Sequence, residues 1–122
     1  MSHHLKMLCV DDVEELRNGL VQLFKAEDFD VDTAEDGAIA LEKLRKNVYD
    51  IVLLDLKMPN MDGMTVLKEM KKNPVFPRVI MLMGVDDVSI ALECVKLGAK
   101  DYISKPYDPE ELIHTVIKVL GS

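Results

Sequence analysis

"IVLLDLKMP", residues 51–59, is the stretch that decides the fold. Four aliphatic side chains run from Ile51 to Leu54 without a polar break, and Asp55 follows at once. A strand with one solvated face alternates apolar and polar residues. An unbroken apolar run reads instead as a strand covered on both faces, the condition of a parallel sheet between helices. A lone carboxylate at the mouth of such a strand is costly unless something uses it.

Outward from this strand, apolar runs and helical patterns alternate along the whole chain. "LKMLCV" (5–10) reads as a first strand, and 13–26 as a helix with Leu16, Leu20, Leu23 and Phe24 at helical spacing. "FDVDTA" (29–34) alternates and suits an edge strand. A helix over 37–47 follows, with Ile39, Leu41 and Leu44 inward and Asn47 as its stop. After the strand at 50–55 comes a helix over 63–73, closed by Asn73 and Pro74. "RVIMLM" (78–83) is a fourth apolar strand, and 87–98 a helix ended by Gly98. "KDYIS" (100–104) is a short fifth strand, and 108–120 the last helix. Asp108 suits its cap, Pro109 its first position, and Glu111 completes a capping-box spacing. Strands alternating with helices mean βαβ units and a parallel sheet.

The chain has 122 residues, enough for one domain with one core, and no linker, low-complexity segment or longer repeat interrupts it. The expectation is a single domain over 1–122 with its core between about 5 and 120. The pair His3–His4 and the closing Gly121–Ser122 read as terminal or cloning residues, and His114 as an ordinary helix residue. Acidic side chains outnumber basic ones, 22 to 15. That balance argues against direct nucleic-acid binding and against an anionic membrane surface. No apolar run reaches the roughly 20 residues of a membrane helix, and no signal peptide is visible, so the expected compartment is the cytoplasm. Cys9 and Cys94 match no metal or redox spacing and read as reduced, space-filling thiols.

The carboxyl ends of parallel strands form the rim where ligands bind in open α/β sheets. The first strand ends in "VDDVEE" (10–15), which places Asp11 and Asp12 there, and the third ends at Asp55. If these strands are neighbours, as in the order 2-1-3-4-5, the three carboxylates converge. Two carboxylates about 5 Å apart repel by roughly 3 kcal/mol at an effective dielectric near 20. Three need a counter-ion, and a hard divalent cation with oxygen ligands, Mg²⁺ foremost, suits them. Lys105, ending the fifth strand in "ISKP" (103–106), can add positive charge from the same rim. An Asp after a strand commonly turns the chain or caps the next helix, so one alone proves nothing. Asp11, Asp12, Asp55 and Lys105 together are harder to assign to turns. A carboxylate beside Mg²⁺ and an ammonium can accept a phosphoryl group, because the cations offset its repulsion. Asp55 would then be a nucleophile forming an acyl phosphate.

At these residues the chain resembles a response-regulator receiver domain of two-component signalling, in the CheY-like superfamily. "VDD" (10–12), "DLKMPNMDG" (55–63) and "LGAKDYISKPY" (97–107) carry the resemblance, which runs from about 5 to 120. It implies an α/β, doubly wound (βα)5 three-layer sandwich whose five-stranded parallel sheet has the order 2-1-3-4-5. It implies Asp55 as phosphoacceptor and Asp12 as a direct Mg²⁺ ligand, with Asp11 beside it and the Lys57 backbone carbonyl as a further ligand. Lys105 would pair with Asp55 and later with a phosphoryl oxygen, and the Lys105–Pro106 bond would be cis. Tyr102 matches the aromatic whose rotation reports phosphorylation. The implied donor is a sensor histidine kinase or a histidine phosphotransfer protein. The implied readout is the surface of the fourth helix, fifth strand and fifth helix, acting on a downstream protein or a covalently linked effector domain. Such a domain is no conventional enzyme; it assists its own phosphorylation and dephosphorylation. In the connecting loop, Pro59 sets a turn, Asn60 tolerates tight backbone angles, and Asp62 caps the helix opening near Gly63. Met58, Met61 and Met64 read as flexible packing.

"VIMLMGV" (79–85) departs from the family pattern. Receiver domains usually end the fourth strand with Thr or Ser and then a small residue. Gly84 supplies the small residue, but Met83 stands in place of the hydroxyl, and a thioether cannot donate a hydrogen bond. The expectation is phosphorylation that persists with poorer coupling. One lost charge-assisted hydrogen bond costs roughly 1.5–3 kcal/mol, up to about two decades in the switching equilibrium. The alternative is a pseudo-receiver, a phosphorylation-independent protein-interaction domain. Two rivals on similar folds fit less well. A flavodoxin-like cofactor binder needs amides and hydroxyls for a phosphate, where this chain has "DDVEE" (11–15). A haloacid-dehalogenase-type hydrolase carries a second acid two residues after its nucleophile, and that position is Lys57.

Overall fold

A computed structural model of the chain describes residues 4–73 and 76–121. His3, Pro74 and Ser122, each given a role above, lie outside the described residues. The elements run β1 (Lys6–Val10), α1 (Glu14–Lys25), β2 (Asp30–Ala34), α2 (Gly37–Lys46), β3 (Ile51–Asp55), α3 (Gly63–Met70), β4 (Arg78–Gly84), α4 (Val88–Lys96), β5 (Asp101–Lys105) and α5 (Pro109–Leu120). All pairings are parallel, and the strand order is β2-β1-β3-β4-β5. The alternating, partly polar β2 lies at an edge, while every residue of β3 is buried.

The period of two along each strand sorts the core into two layers. Leu8, Val10, Val52, Leu54, Met81 and Met83 pack with Ala40, Val66, Leu67, Ala91 and Cys94, so α2, α3 and α4 cover one face. Met7, Cys9, Ile51, Leu53, Ile80 and Leu82 pack with Leu20, Phe24, Leu112 and Val116, so α1 and α5 cover the other. The result is the three-layer, doubly wound α/β fold expected. A fully buried aliphatic side chain contributes about 1.5–3 kcal/mol, so the central strands anchor the rim at their carboxyl ends. Cys9 and Cys94 are free and buried in opposite layers, and burial pushes both thiols up, which keeps them protonated and inert.

The ends of the elements follow the local chemistry. Asp36 accepts from the Ile39 N–H at 2.8 Å and Asp62 from Thr65 at 2.8 Å, so each caps its helix. Asp108 accepts from Glu110 at 3.1 Å, so the cap forms on the second amide and the Glu111 spacing closes no reciprocal box. Asn47 closes α2 by donating its side-chain amide to Lys43 O. Gly98 takes φ +112°, a left-handed conformation that glycine adopts freely, and turns the chain from α4 toward β5. Every element end lies within two residues of the sequence reading except that of α3, and the entry to α4 also takes a different form. α3 ends at Met70, with residues 71–73 in a turn, and α4 starts at Val88 after a single 3₁₀ turn over Val85–Asp87. Among the described residues no helix is long and apolar enough to cross a membrane.

Candidate functional site

β1 and β3 are neighbours, so their carboxyl ends deliver Asp11, Asp12 and Asp55 to one lip of the sheet. An oxygen from each of the three carboxylates lies within 4.8 Å of the others. β5 is two strands from β3, yet Lys105 at its end reaches back across β4. Its ammonium lies 2.8 Å from Asp11 Oδ2 and 3.2 Å from Asp55 Oδ1. The expected pairing with Asp55 is present, but Asp11 is the nearer partner.

The three acids are not equivalent. Asp11 is wholly buried, and both its oxygens are committed: Oδ1 accepts from the Val13 N–H at 3.0 Å and Oδ2 from Lys105. Arg17 donates to the Asp11 carbonyl at 2.9 Å and fixes the backbone beneath. Asp12 is exposed at the lip. Asp55 is buried, with Oδ1 on Lys105 and no described hydrogen-bond donor on Oδ2. Burial pushes its carboxyl up to about 6; Lys105 opposes that rise, while Asp11 and Asp12 add to it. Burial would lower the Lys105 ammonium, but its bond to Asp11 and the charge of Asp55 carry it upward instead. The lip is therefore a set of hard oxygen donors with too little positive charge to balance them, which is the donor chemistry of a divalent oxygen-liking cation.

Backbone packing holds Asp55 still. Gly63, opening α3, comes so close to the strand end that an added Cβ would stand 2.3 Å from the Asp55 carbonyl oxygen. Its N–H donates to Leu56 O at 2.7 Å, and only glycine permits this approach. Asn60 takes φ 71° in the intervening loop, as its tolerance of such angles suggested. The Lys105–Pro106 bond is cis.

A cavity of about 410 Å³ opens above Asp55, walled by Asp12, Lys57, Met83, Gly84, Asp87 and Lys105 among others. Met83 is 1% exposed and packs into the layer under α4, so the position of the usual hydroxyl faces the site as a thioether. Tyr102 is 37% exposed on β5, with its ring away from the core. Lys57 also lines the cavity; its side chain is 75% exposed and pairs with Asp87 Oδ1 at 3.3 Å. Asp87 is the residue that sequence reasoning missed. Its signal was present: "GVDD" (84–87) follows the fourth strand as "VDD" (10–12) ends the first.

A two-wound parallel sheet with this acid–lysine lip and cis bond is the arrangement the sequence motifs pointed to. The chain belongs to the response regulator receiver domain family, whose model matches residues 7–117. It is a receiver domain of two-component signalling type. It is similar to the chemotaxis protein CheY of Bacillus subtilis, with 35% identity over 122 residues covering 99% of this chain and 100% of that protein. It is 39% identical to the transcriptional regulatory protein CpxR homolog of Haemophilus influenzae, covering 94% of this chain and 50% of that protein. The receiver domain of Francisella response regulator 1452 superposes with a TM-score of 0.90 at 31% identity, covering 97% of this chain and 98% of that one. The chain thus spans all of the chemotaxis relative, but half of the Haemophilus protein and 28% of ZraR of Escherichia coli.

Proposed function

We propose that this receiver domain is a phosphorylation-controlled switch in which Asp55 is the phosphoryl acceptor. The observation that carries the reading is the Lys105 ammonium seated between Asp11 and Asp55, at 2.8 and 3.2 Å. Both oxygens of Asp11 are held by donors, whereas Asp55 keeps one oxygen free beneath the cavity. Asp55 is thus the nucleophile and Asp11 a holder of charge. The free Asp55 oxygen attacks the phosphorus of a phosphohistidine on a sensor kinase or histidine phosphotransfer protein. The phosphorus–nitrogen bond breaks, the imidazole leaves with the bonding pair, and an acyl phosphate forms. Lys105 passes from the carboxylate to a phosphoryl oxygen.

The carboxylates of Asp11, Asp12 and Asp55, with the Lys57 backbone carbonyl, would hold Mg²⁺. Bound there, it supplies positive charge against the phosphoryl oxygens. The domain acts on no separate substrate and so is a switch rather than an enzyme. Tyr102 and the α4–β5–α5 surface carry the readout to a downstream protein or a linked effector domain. The net charge of −7 and two buried free thiols suit the cytoplasm. Intact mass after incubation with acetyl phosphate and Mg²⁺ tests the reading. A gain of one phosphoryl, absent in Asp55→Asn, is expected; no gain overturns it.

Met83 favours a second reading, a phosphorylation-independent interaction domain, because no hydroxyl couples the acceptor to α4. Under that reading Mg²⁺ and beryllofluoride leave the α4–β5–α5 resonances in place even though Asp55 is modified.

A further inference from the structure

Four helices of this chain, α2 to α5, begin on an aspartate, and three of those carboxylates do what an N-terminal Asp ordinarily does. Asp36, Asp62 and Asp108 have extended backbones and accept amide hydrogens of their own helices. Asp87 does not. Its backbone sits at φ −100°, ψ 15°, inside the 3₁₀ turn, and its side chain makes no cap bond to α4. Its carboxylate is instead turned into the cavity over Asp55, where Oδ1 lies 3.3 Å from Lys57 Nζ. Gly84 leaves that position uncrowded: a Cβ there would stand 3.2 Å from Asp87 Oδ2, a tight contact. Asp87 is buried while Lys57 is 75% exposed, so the anion is fixed in the wall and the cation is free to move.

Lys57 lies two residues beyond Asp55 and lines the same cavity. An acyl phosphate on Asp55 would bring a charge of about −1.5 to −2 and three acceptor oxygens into that space. It would compete with Asp87 for the Lys57 ammonium and would repel Asp87 directly. Asp87 has an alternative partner at hand in the uncapped first-turn amides of α4, which also carry the positive end of the helix dipole. Met83 can offer the phosphoryl group no hydrogen bond, so it provides no competing route from the acceptor to this turn.

The geometry points to a charge-exchange latch: Lys57 holds Asp87 off helix α4 in the resting chain, and a phosphoryl group on Asp55 takes Lys57 and releases Asp87 to cap α4. The latch deepens the proposed function and rests on Asp55 as acceptor. Asp87 and Lys57 act as positioning residues for the β4–α4 turn, and the product of the exchange is a regular first turn of α4 beside the readout surface.

Amide resonances of Ser89 and Ile90 report the cap, because those are the two N–H groups an Asp87 cap would engage. In the unsubstituted chain they should move when Mg²⁺ and beryllofluoride are added. Lys57→Gln frees Asp87 without any phosphate mimic, so these amides should sit most of the way toward the mimic-bound position and exchange more slowly with solvent. Asp87→Asn caps without pairing and should do the same. Asp87→Ala can do neither and should leave both amides at the uncapped position with and without the mimic. Unmoved Ser89 and Ile90 amides in both Lys57→Gln and Asp87→Asn overturn the latch, whatever Asp55 does. No phosphoryl gain by intact mass in the unsubstituted chain overturns the acceptor reading and the exchange with it. The resting hold of Lys57 on Asp87 is then still decided by the two substituted chains.

Discussion

Removing the Asp55 carboxylate should make the metal-free domain more stable, and the sign and size follow from its surroundings. Burial raises the Asp55 carboxyl from an ordinary 3.8 to about 6, against the opposing charge of Lys105. A group whose folded value is raised prefers its protonated form in the folded state. The associated stability is fully present below about pH 3.8 and is lost as pH rises through about 6. Above that window the folded chain carries a carboxylate it would rather not ionise. Two pH units correspond to about 3 kcal/mol at 1.36 kcal/mol per unit, and solvent at the cavity mouth reduces this to about 1–2 kcal/mol. Asp55→Asn removes that cost while leaving Lys105 on Asp11 at 2.8 Å. For a domain of this size the gain is a rise in Tm of roughly 3–8 °C. The assay is thermal unfolding at about pH 7.5 in EDTA, repeated near pH 4.5 and again with excess Mg²⁺. The rise should shrink at the acidic pH, where Asp55 is already protonated. It should also shrink with Mg²⁺, which under the proposed function would stabilise the unsubstituted chain more than the Asn variant. An Asp55→Asn Tm equal to or below that of the unsubstituted chain in EDTA at the higher pH would refute the claim that burial strains this carboxylate.

Three other substitutions probe neighbouring parts of the site. Lys105→Met leaves the buried Asp11 and Asp55 facing each other without their ammonium and should cost about 2–3 kcal/mol, below the figure for a fully buried pair, read from urea unfolding at neutral pH. Gly63→Ala forces a methyl to 2.3 Å from the Asp55 carbonyl and should cost about 2–3 kcal/mol through displacement of α3, with phosphoryl uptake by intact mass falling alongside. Met83→Thr should separate two quantities. It restores a hydroxyl donor worth about 1.5–3 kcal/mol to the beryllofluoride-bound state, so the mimic binds roughly 10–100-fold more tightly by NMR titration, while lost packing lowers stability by about 1–3 kcal/mol.

The sequence made the site legible to the extent that periodicity made the strands legible. Asp11, Asp12, Asp55 and Lys105 each sit where an apolar run stops, and in a parallel sheet that address is the ligand rim. Which strand ends are neighbours is a different matter. Alternating strands and helices fit more than one sheet order, and the order 2-1-3-4-5 came from the resemblance rather than from any residue's own chemistry. Asp87 escaped notice because it falls at the start of a helical pattern, where an Asp ordinarily reads as a cap; that reading held at Asp62 and Asp108, and Asp36 caps α2 in the same way. The preference of Lys105 for Asp11 over Asp55, 2.8 against 3.2 Å, depends on fractions of an ångström that no spacing encodes.

The same side chain therefore meets several fates on one rim, and the difference lies in what compensates it. In a βα unit the helix starts at the carboxyl end of its strand, so the amide-rich, positive helix ends gather on the side where the strand-end acids gather. Asp36, Asp62 and Asp108 draw on those ends and are neutral to the energy of the site. Asp11 spends its oxygens on one backbone amide and on Lys105. Asp12 stays in water, and Asp55 shares a lysine while its other oxygen looks into the cavity. Asp86 and Asp87 bring further negative charge to the wall, against the ammoniums of Lys57 and Lys105 among its described lining residues. A pocket with that balance repels a phosphoryl donor unless cations are added or moved. The proposed function needs the first, and the proposed latch supplies the second from within the chain. Switching by the proposed charge exchange would require no hydroxyl at position 83, so a buried methionine there would be compatible with the proposed acceptor.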